Sequence, residues 1–282
     1  MRIWLAATAL LLSIQAIPAH AERDRWSGAP LDPSRKREIP SPITDRFYVR
    51  GTFFAPTFNT RLRVDSRANT PGTLVSAEQD LGLKSRAPQG QIELMIRMRE
   101  RSKMRVDYFA TDRSASTALQ RPIQFGDQSF LPADIASTSL EYRNFALTYT
   151  YSFIRTDRFE VGTGLGLHFL QADARGEVTA RQLRQEVSGS GAFPTIPLDA
   201  TWRISQRFAL NARGQYFHIA HNNFAGALGD YHADLQYRWA PNFTLGAGYT
   251  ILKASLDINN VSFPGFFRLN VHGPEAYVKV SF

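Results

Sequence analysis

The residues best placed to do chemistry stand in one short run, Asp230-Tyr231-His232-Ala233-Asp234. In an extended chain the period of two puts Asp230, His232 and Asp234 on one face, near the outer end of a predicted strand. A carboxylate beside an imidazole orients the ring and raises its basicity, as a general base requires. The same spacing also makes an ordinary hydrogen-bonded pair, the more frequent outcome. Weaker combinations compete. His218 and His221 offer two imidazoles without a third placed ligand, too few for a metal centre. Ser255 and His272 can meet across a hairpin, a minimal pairing for a lipid-modifying hydrolase. None of these assigns a catalytic residue, and no metal or cofactor is called for. Cysteine is absent, which excludes thiolate ligands and disulfides.

The elements that must carry these residues read as strands. From Asp45 onward the period is two: Phe47, Val49, Gly51 and Phe53 alternate with Tyr48, Arg50, Thr52 and Phe54. The same alternation returns from Ile92 to Met98, Met104 to Ala110, Phe145 to Phe153, Phe159 to Phe169, Ile196 to Ile204, Phe208 to Tyr216, Tyr231 to Trp239 and Phe243 to Ile251. A last segment begins near Phe266. Its apolar phase changes between Val271 and Ala276, which predicts a bulge around Gly273-Pro274. Connections alternate between long polar stretches, near 59–89, 115–137, 174–192 and 219–229, and tight turns near 100–103, 155–158, 205–206 and 241–242.

These features predict an all-β, closed antiparallel transmembrane barrel of ten strands, with eight or twelve as alternatives. Aromatic residues at the tight-turn ends, Phe47, Phe153, Phe159, Trp202, Phe208, Trp239, Phe243 and Phe282, predict one interfacial girdle. The inward face collects Arg50, Glu93, Arg97, Arg99, Arg105, Asp107, Glu160, Asp199, Arg203, Arg213 and Arg238. In so narrow a barrel these charges should pair into an ionic network that largely plugs the lumen; a constricted ion path is the rival. Arg2, the apolar run from Ile3 to Ile17 and Pro18-Ala19-His20-Ala21 read as a signal peptide over 1–21. Residues 22–44, with four prolines and Arg35-Lys36-Arg37, read as an extended periplasmic tail, and 45–282 as the barrel. A slightly negative mean hydropathy fits a chain whose lipid-facing and lumen-facing residues alternate.

The net charge of +8 points to an anionic neighbour, for an exported chain lipopolysaccharide rather than nucleic acid. Basic residues of the predicted loops, Arg61, Arg63, Arg67, Lys84, Arg86, Arg121, Arg175, Arg181 and Arg184, are the candidates to face it. The ending Tyr277-Val278-Lys279-Val280-Ser281-Phe282 resembles the carboxy-terminal signal read by the barrel-assembly machinery. Glu78-Gln79-Asp80-Leu81-Gly82-Leu83, Ile123-Gln124-Phe125-Gly126-Asp127 and Tyr149-Thr150-Tyr151-Ser152-Phe153 are similar to segments of uncharacterised Gram-negative outer-membrane barrel proteins. That resemblance implies fold and location. The barrel reading adds the expectation of both termini in the periplasm and of a monomer as the unit. The omptins, ten-stranded outer-membrane proteases, resemble the chain in architecture and in Asp230-x-His232 only; Glu78-x-Asp80 has the spacing of their second acidic pair but falls in the wrong hairpin. The expectation is a non-enzymatic structural or surface-interaction barrel. The alternatives are a narrow porin and an omptin-like or lipid-modifying enzyme.

Overall fold

The computed structural model describes residues 40–66, 70–221, 224–258 and 264–282. The expected signal peptide and most of the expected tail lie outside them. The strands in chain order are β1 (Phe47–Phe54), β2 (Thr57–Val64), β3 (Val75–Ser76), β4 (Gln89–Arg99), β5 (Ser102–Ala118), β6 (Ile123–Phe125), β7 (Gln128–Phe130), β8 (Ile135–Arg155), β9 (Phe159–Val178), β10 (Leu183–Arg203), β11 (Phe208–His221), β12 (Phe224–Ala240), β13 (Phe243–Ile258) and β14 (Gly265–Ser281).

Every neighbouring pair is antiparallel, and β1 pairs with both β4 and β14, so the sheet closes on itself. β2 continues the line of β1 along β14 and β3 is a short appendage to it, which leaves a closed barrel of ten staves. Closure gives each wall strand two partners and removes the exposed edges. The break at Ala55-Pro56 has a local cause, since proline has no N–H to donate to the ladder.

The predicted bulge at Gly273-Pro274 is absent. Phe54 stands opposite Glu275 and Thr57 opposite His272, with no residue inserted, and the pairing of β13 with β14 is unbroken. The register shifts lie elsewhere, at Arg97/Arg99, Ser152/Ile154 and Arg238/Ala240, each beside a tight turn. What changes along β14 is the polarity of its two faces. Near the carboxy-terminal end the outward residues are Ala276, Val278 and Val280 and the inward ones Glu275, Tyr277 and Lys279; further up, Arg268, Asn270 and His272 face outward while Leu269 and Val271 are buried inside. The strand inverts its polarity without changing phase.

The same inversion occurs on other staves. On β13, Thr250 gives way to Leu252 inside while Ile251 gives way to Lys253 outside; on β9, His168 gives way to Leu170 inside while Phe169 gives way to Gln171 outside. Below the crossing the barrel is apolar outside and polar inside, as lipid demands; above it the barrel is built like a soluble one. Stretches expected as loops at 174–192 and 219–229 are therefore largely strand, in β9, β10, β11 and β12, and the ends of the one at 115–137 belong to β5 and β8. Over the long-loop mouth, residues 65–66, 70–88 and 119–134, including the β6–β7 hairpin, fold into a cap whose core contains Leu62, Val75, Leu83, Leu119, Ile123, Phe130 and Leu140.

Candidate functional site

The lumen is filled in layers. At the tight-turn end, Pro42–Thr44 form one turn of 3-10 helix, capped by Ser41 and carrying the buried Ile43, so the predicted extended tail does not run extended to residue 44. The turn delivers Asp45 into the barrel. There Arg238 Nη2 donates to both Asp45 oxygens at 2.7 and 2.6 Å, and Ser281 Oγ and Lys279 Nζ donate at 3.0 and 3.4 Å. Across the same end, Arg97 forks onto Glu160 at 2.8 and 3.0 Å, with Lys103 Nζ 3.5 Å from that carboxylate.

The next layer is ionic from wall to wall. Arg50 reaches Glu275 at 2.5 Å and Asp234 at 3.5 Å while its guanidinium lies 3.6 Å from the centre of the Tyr277 ring. Arg213 holds Glu93 at 2.7 Å, and Arg105 holds Asp199 at 3.0 Å and Asp107 at 3.2 Å. Tyr48 donates to Glu93, and Tyr277 donates to Asp234 at 2.5 Å. Tyr277 fits because a Cβ at position 246 would lie 2.1 Å from its ring, a space only glycine leaves free. Two cavities near these groups measure about 70 and 50 Å³, each large enough for one or two water molecules.

Above lies a second layer of polar side chains. His168 is fully buried between Asn144 Oδ1 at 3.2 Å and Gln215 Oε1 at 3.1 Å. His232 Nε2 is 2.9 Å from Asp230 Oδ1, and its Nδ1 is 2.8 Å from Thr250 Oγ1, which in turn donates to Glu275 at 2.8 Å. Both ring nitrogens are thus engaged.

The layer above this is apolar and draws on nearly every stave. Phe54, Phe109, Tyr142, Leu228, Leu252 and Val271 are buried there, with Leu170, Phe193 and Phe217 packed against them. Phe54, Phe109 and Tyr142 form a chain of rings with centroids 6.2 and 6.1 Å apart. Phe58 continues the layer upward beneath Arg113, whose guanidinium sits 4.2 Å from the ring centre and binds Glu78 at 2.7 Å.

Most of the predicted network residues take part in these ion pairs, but Arg99 and Arg203 do not. The register shift beside the turn puts Arg99 outside, exposed, and Arg203 forms no side-chain ion pair among the described residues. Sequence reasoning missed Asp45, Lys103 and Glu275. Asp45 shares the outward phase of Phe47 in the alternation, Lys103 was expected in a turn, and the supposed bulge hid Glu275. Asp230, His232 and Asp234 share the lumen face as expected, but at mid-wall beneath the apolar layer rather than at a rim. Ser255 does not meet His272: it pairs with Arg268, whereas His272 pairs with Ile251 and bonds Tyr249 Oη at 2.8 Å. Glu78 and Asp80 are engaged in the cap, by Arg113 and Arg121 respectively. The aromatic residues gather at the tight-turn end. Phe47 packs on Phe282, Phe159 stacks on Trp202, Phe208 meets Tyr237 and Trp239 meets Phe243; Phe153 is exposed at the same end.

No protein-family model and no curated protein sequence matches the chain. Solved structures do. The outer-membrane protease OmpT from Escherichia coli superposes with a TM-score of 0.52 at 12% identity, covering 84% of this chain and 97% of OmpT. The fold is that of the outer-membrane β-barrels. Ail, the attachment invasion locus protein of Yersinia pestis, aligns at 9% identity over 82% of this chain and 99% of its own, with a TM-score of 0.34. The toluene transporter TodX of P. putida aligns at 8% identity over 86% and 93%, with a TM-score of 0.33. At such identities the likeness concerns the fold alone. In this outer-membrane-type barrel, Asp230 and His232 are roofed by Leu228 and Leu252, the next inward residues on β12 and β13.

Proposed function

We propose that the chain is an integral outer-membrane barrel with a plugged lumen, serving as a non-enzymatic structural or surface-interaction protein. The observation that supports this most directly is the stacking of two unlike barriers across one narrow lumen. An ion crossing the charged layer must displace guanidinium and carboxylate groups already paired; in the apolar layer above, the same ion meets hydrocarbon and aromatic rings that cannot replace its hydration. In this reading residues 1–21 are removed as a signal peptide, and the following tail and the last strand face the periplasm. The barrel-assembly machinery receives the last strand, lipopolysaccharide surrounds the long-loop end and the barrel works as a monomer.

Single-channel recording of the refolded chain in planar bilayers tests the reading, with the gel shift between heated and unheated samples as proof of a closed barrel. The expected result is a heat-modifiable protein that gives no conductance steps. Discrete steps from the unmodified protein would turn the inward arginines and carboxylates into a selectivity path and overturn the plug. A hydrolase is tested separately: an activity on peptide or lipid that disappears in His232→Ala while heat-modifiability persists would replace the structural role.

A further inference from the structure

The outer wall of the barrel carries a basic groove that the lumen does not use. Arg61 on β2 and Arg268 on β14 are direct cross-strand partners, and both are exposed. Ser255 flanks Arg268 on the other side, and one outward position lower Lys253, Asn270 and Asn59 form a row across β13, β14 and β2. These residues line an open groove of about 540 Å³, floored in part by the small outward residues Ala227 and Gly229 of β12. Like charges directly opposed across a strand pair are unfavourable without a counter-charge. Neither Arg61, Arg268 nor Lys253 has a carboxylate partner among the described residues. Arg63 is engaged by Asp65 at 2.9 Å, and Asp257, one outward position beyond Ser255, makes no ion pair among the described residues.

The height of the groove identifies its occupant. On β13 the outward face runs Phe243, Leu245, Ala247, Tyr249, Ile251 and then Lys253. Ten residues at a rise of ~3.3 Å and a tilt of ~40° place Lys253 about 25 Å above the aromatic girdle, the full height of a barrel's apolar band. Lys253 therefore stands at the edge of the hydrocarbon, and Arg61 and Arg268 one row above it, where lipid phosphates lie. We propose that this groove binds the phosphorylated headgroup of an outer-leaflet lipid, the two guanidinium groups and the Lys253 ammonium gripping phosphate oxygens while the acyl chains run down the wall past Ile251. The site rests on the outer-membrane reading above, and it uses Lys253 and Arg268, which the sequence did not single out.

The test is native mass spectrometry of the full mature chain in neutral detergent, titrated with bis-phosphorylated lipid A, with its dephosphorylated form and with inorganic phosphate. Heat-modifiability of each sample reports separately whether the barrel itself has formed. Bis-phosphorylated lipid A is expected to bind at one site, and Arg61→Gln/Lys253→Gln/Arg268→Gln to weaken that binding at least tenfold, with a smaller loss in Arg268→Gln alone. Arg158→Gln/Arg207→Gln, which removes charge at the opposite end, is expected to change it less than twofold. Equal binding of dephosphorylated lipid, equal binding by the triple variant and the wild type, or a matching loss in the opposite-end control would each overturn the site. Occupation by inorganic phosphate at the same concentration would reassign it to a free anion and overturn the lipid.

Discussion

At the scale of single residues the ionic layer is held by pairs that cannot be cut one side at a time. Asp45 is the clearest case, since it is buried and receives Arg238, Lys279 and Ser281 together. Asp45→Asn leaves two cations facing a neutral amide in a site closed to solvent, and such a half-broken pair costs about 3–5 kcal/mol. The midpoint of urea unfolding of the barrel in vesicles is therefore expected to fall clearly, and an unchanged midpoint would mean that water already screens the pair. Tyr142 gives the opposite expectation. Its hydroxyl is buried in the apolar layer without a partner among the described residues, so Tyr142→Phe removes a polar group that they leave unmet and keeps the ring. The same unfolding assay should place that variant within about 0.5 kcal/mol of the wild type or above it; a loss beyond 1 kcal/mol would show that the hydroxyl has a partner after all.

At the scale of the strand, the part legible in the sequence was the part in lipid. Phe145 to Phe153 and Phe243 to Ile251 alternate apolar with polar, and the wall places them as the alternation says. The extensions were illegible because their alternation is reversed. On β9 the outward residues Gln171, Asp173, Arg175 and Glu177 face water while Ala172, Ala174 and Val178 line the interior, a pattern that reads as polar loop to an eye set for lipid-facing strands. On β14 the same reversal looked like a bulge. The candidate site suffered likewise: the spacing of Asp230 and His232 put them together correctly, but nothing within that spacing reveals the apolar roof contributed by other strands. The cap adds a pH-dependent link. Hydrogen bonding from Arg121 holds the Asp80 carboxyl below the usual carboxylate range, while Asp80 also accepts from Ser76 N–H at 2.8 Å. A depressed folded value means that the stabilisation is full above the unfolded pKa of about 4 and is lost as pH falls through the folded value. Hydrogen exchange over residues 74–84, corrected for intrinsic rate, should therefore quicken between pH 5 and pH 2.5 in the wild type. Arg121→Gln should show the quickening at higher pH, and identical profiles for the two proteins would detach the cap from this pair.

At the scale of the whole molecule, strand length determines what stands outside the membrane. β8, β9 and β10 contain 21, 20 and 21 residues, whereas about ten suffice to cross the apolar band of a barrel. The surplus lies entirely toward the long loops, because the aromatic girdle sits within a residue or two of the tight turns. The β9–β10 hairpin is consequently a protrusion, ending at the 3-10 turn Thr179–Arg181 with Gln182 in the left-handed region at φ 54°. A protease recognition site inserted after Gln182 should be cut by enzyme added to intact cells, and the same insertion after Asp157, in the tight turn between β8 and β9, should resist until the outer membrane is permeabilised. Loop tips tolerate such insertions, so the barrel is expected to fold in both cases. Reversed accessibility would put the long-loop end, with Arg61, Lys253 and Arg268, against the periplasmic leaflet, and the wall groove would then lack the outer-leaflet lipid to which its height and charge are matched.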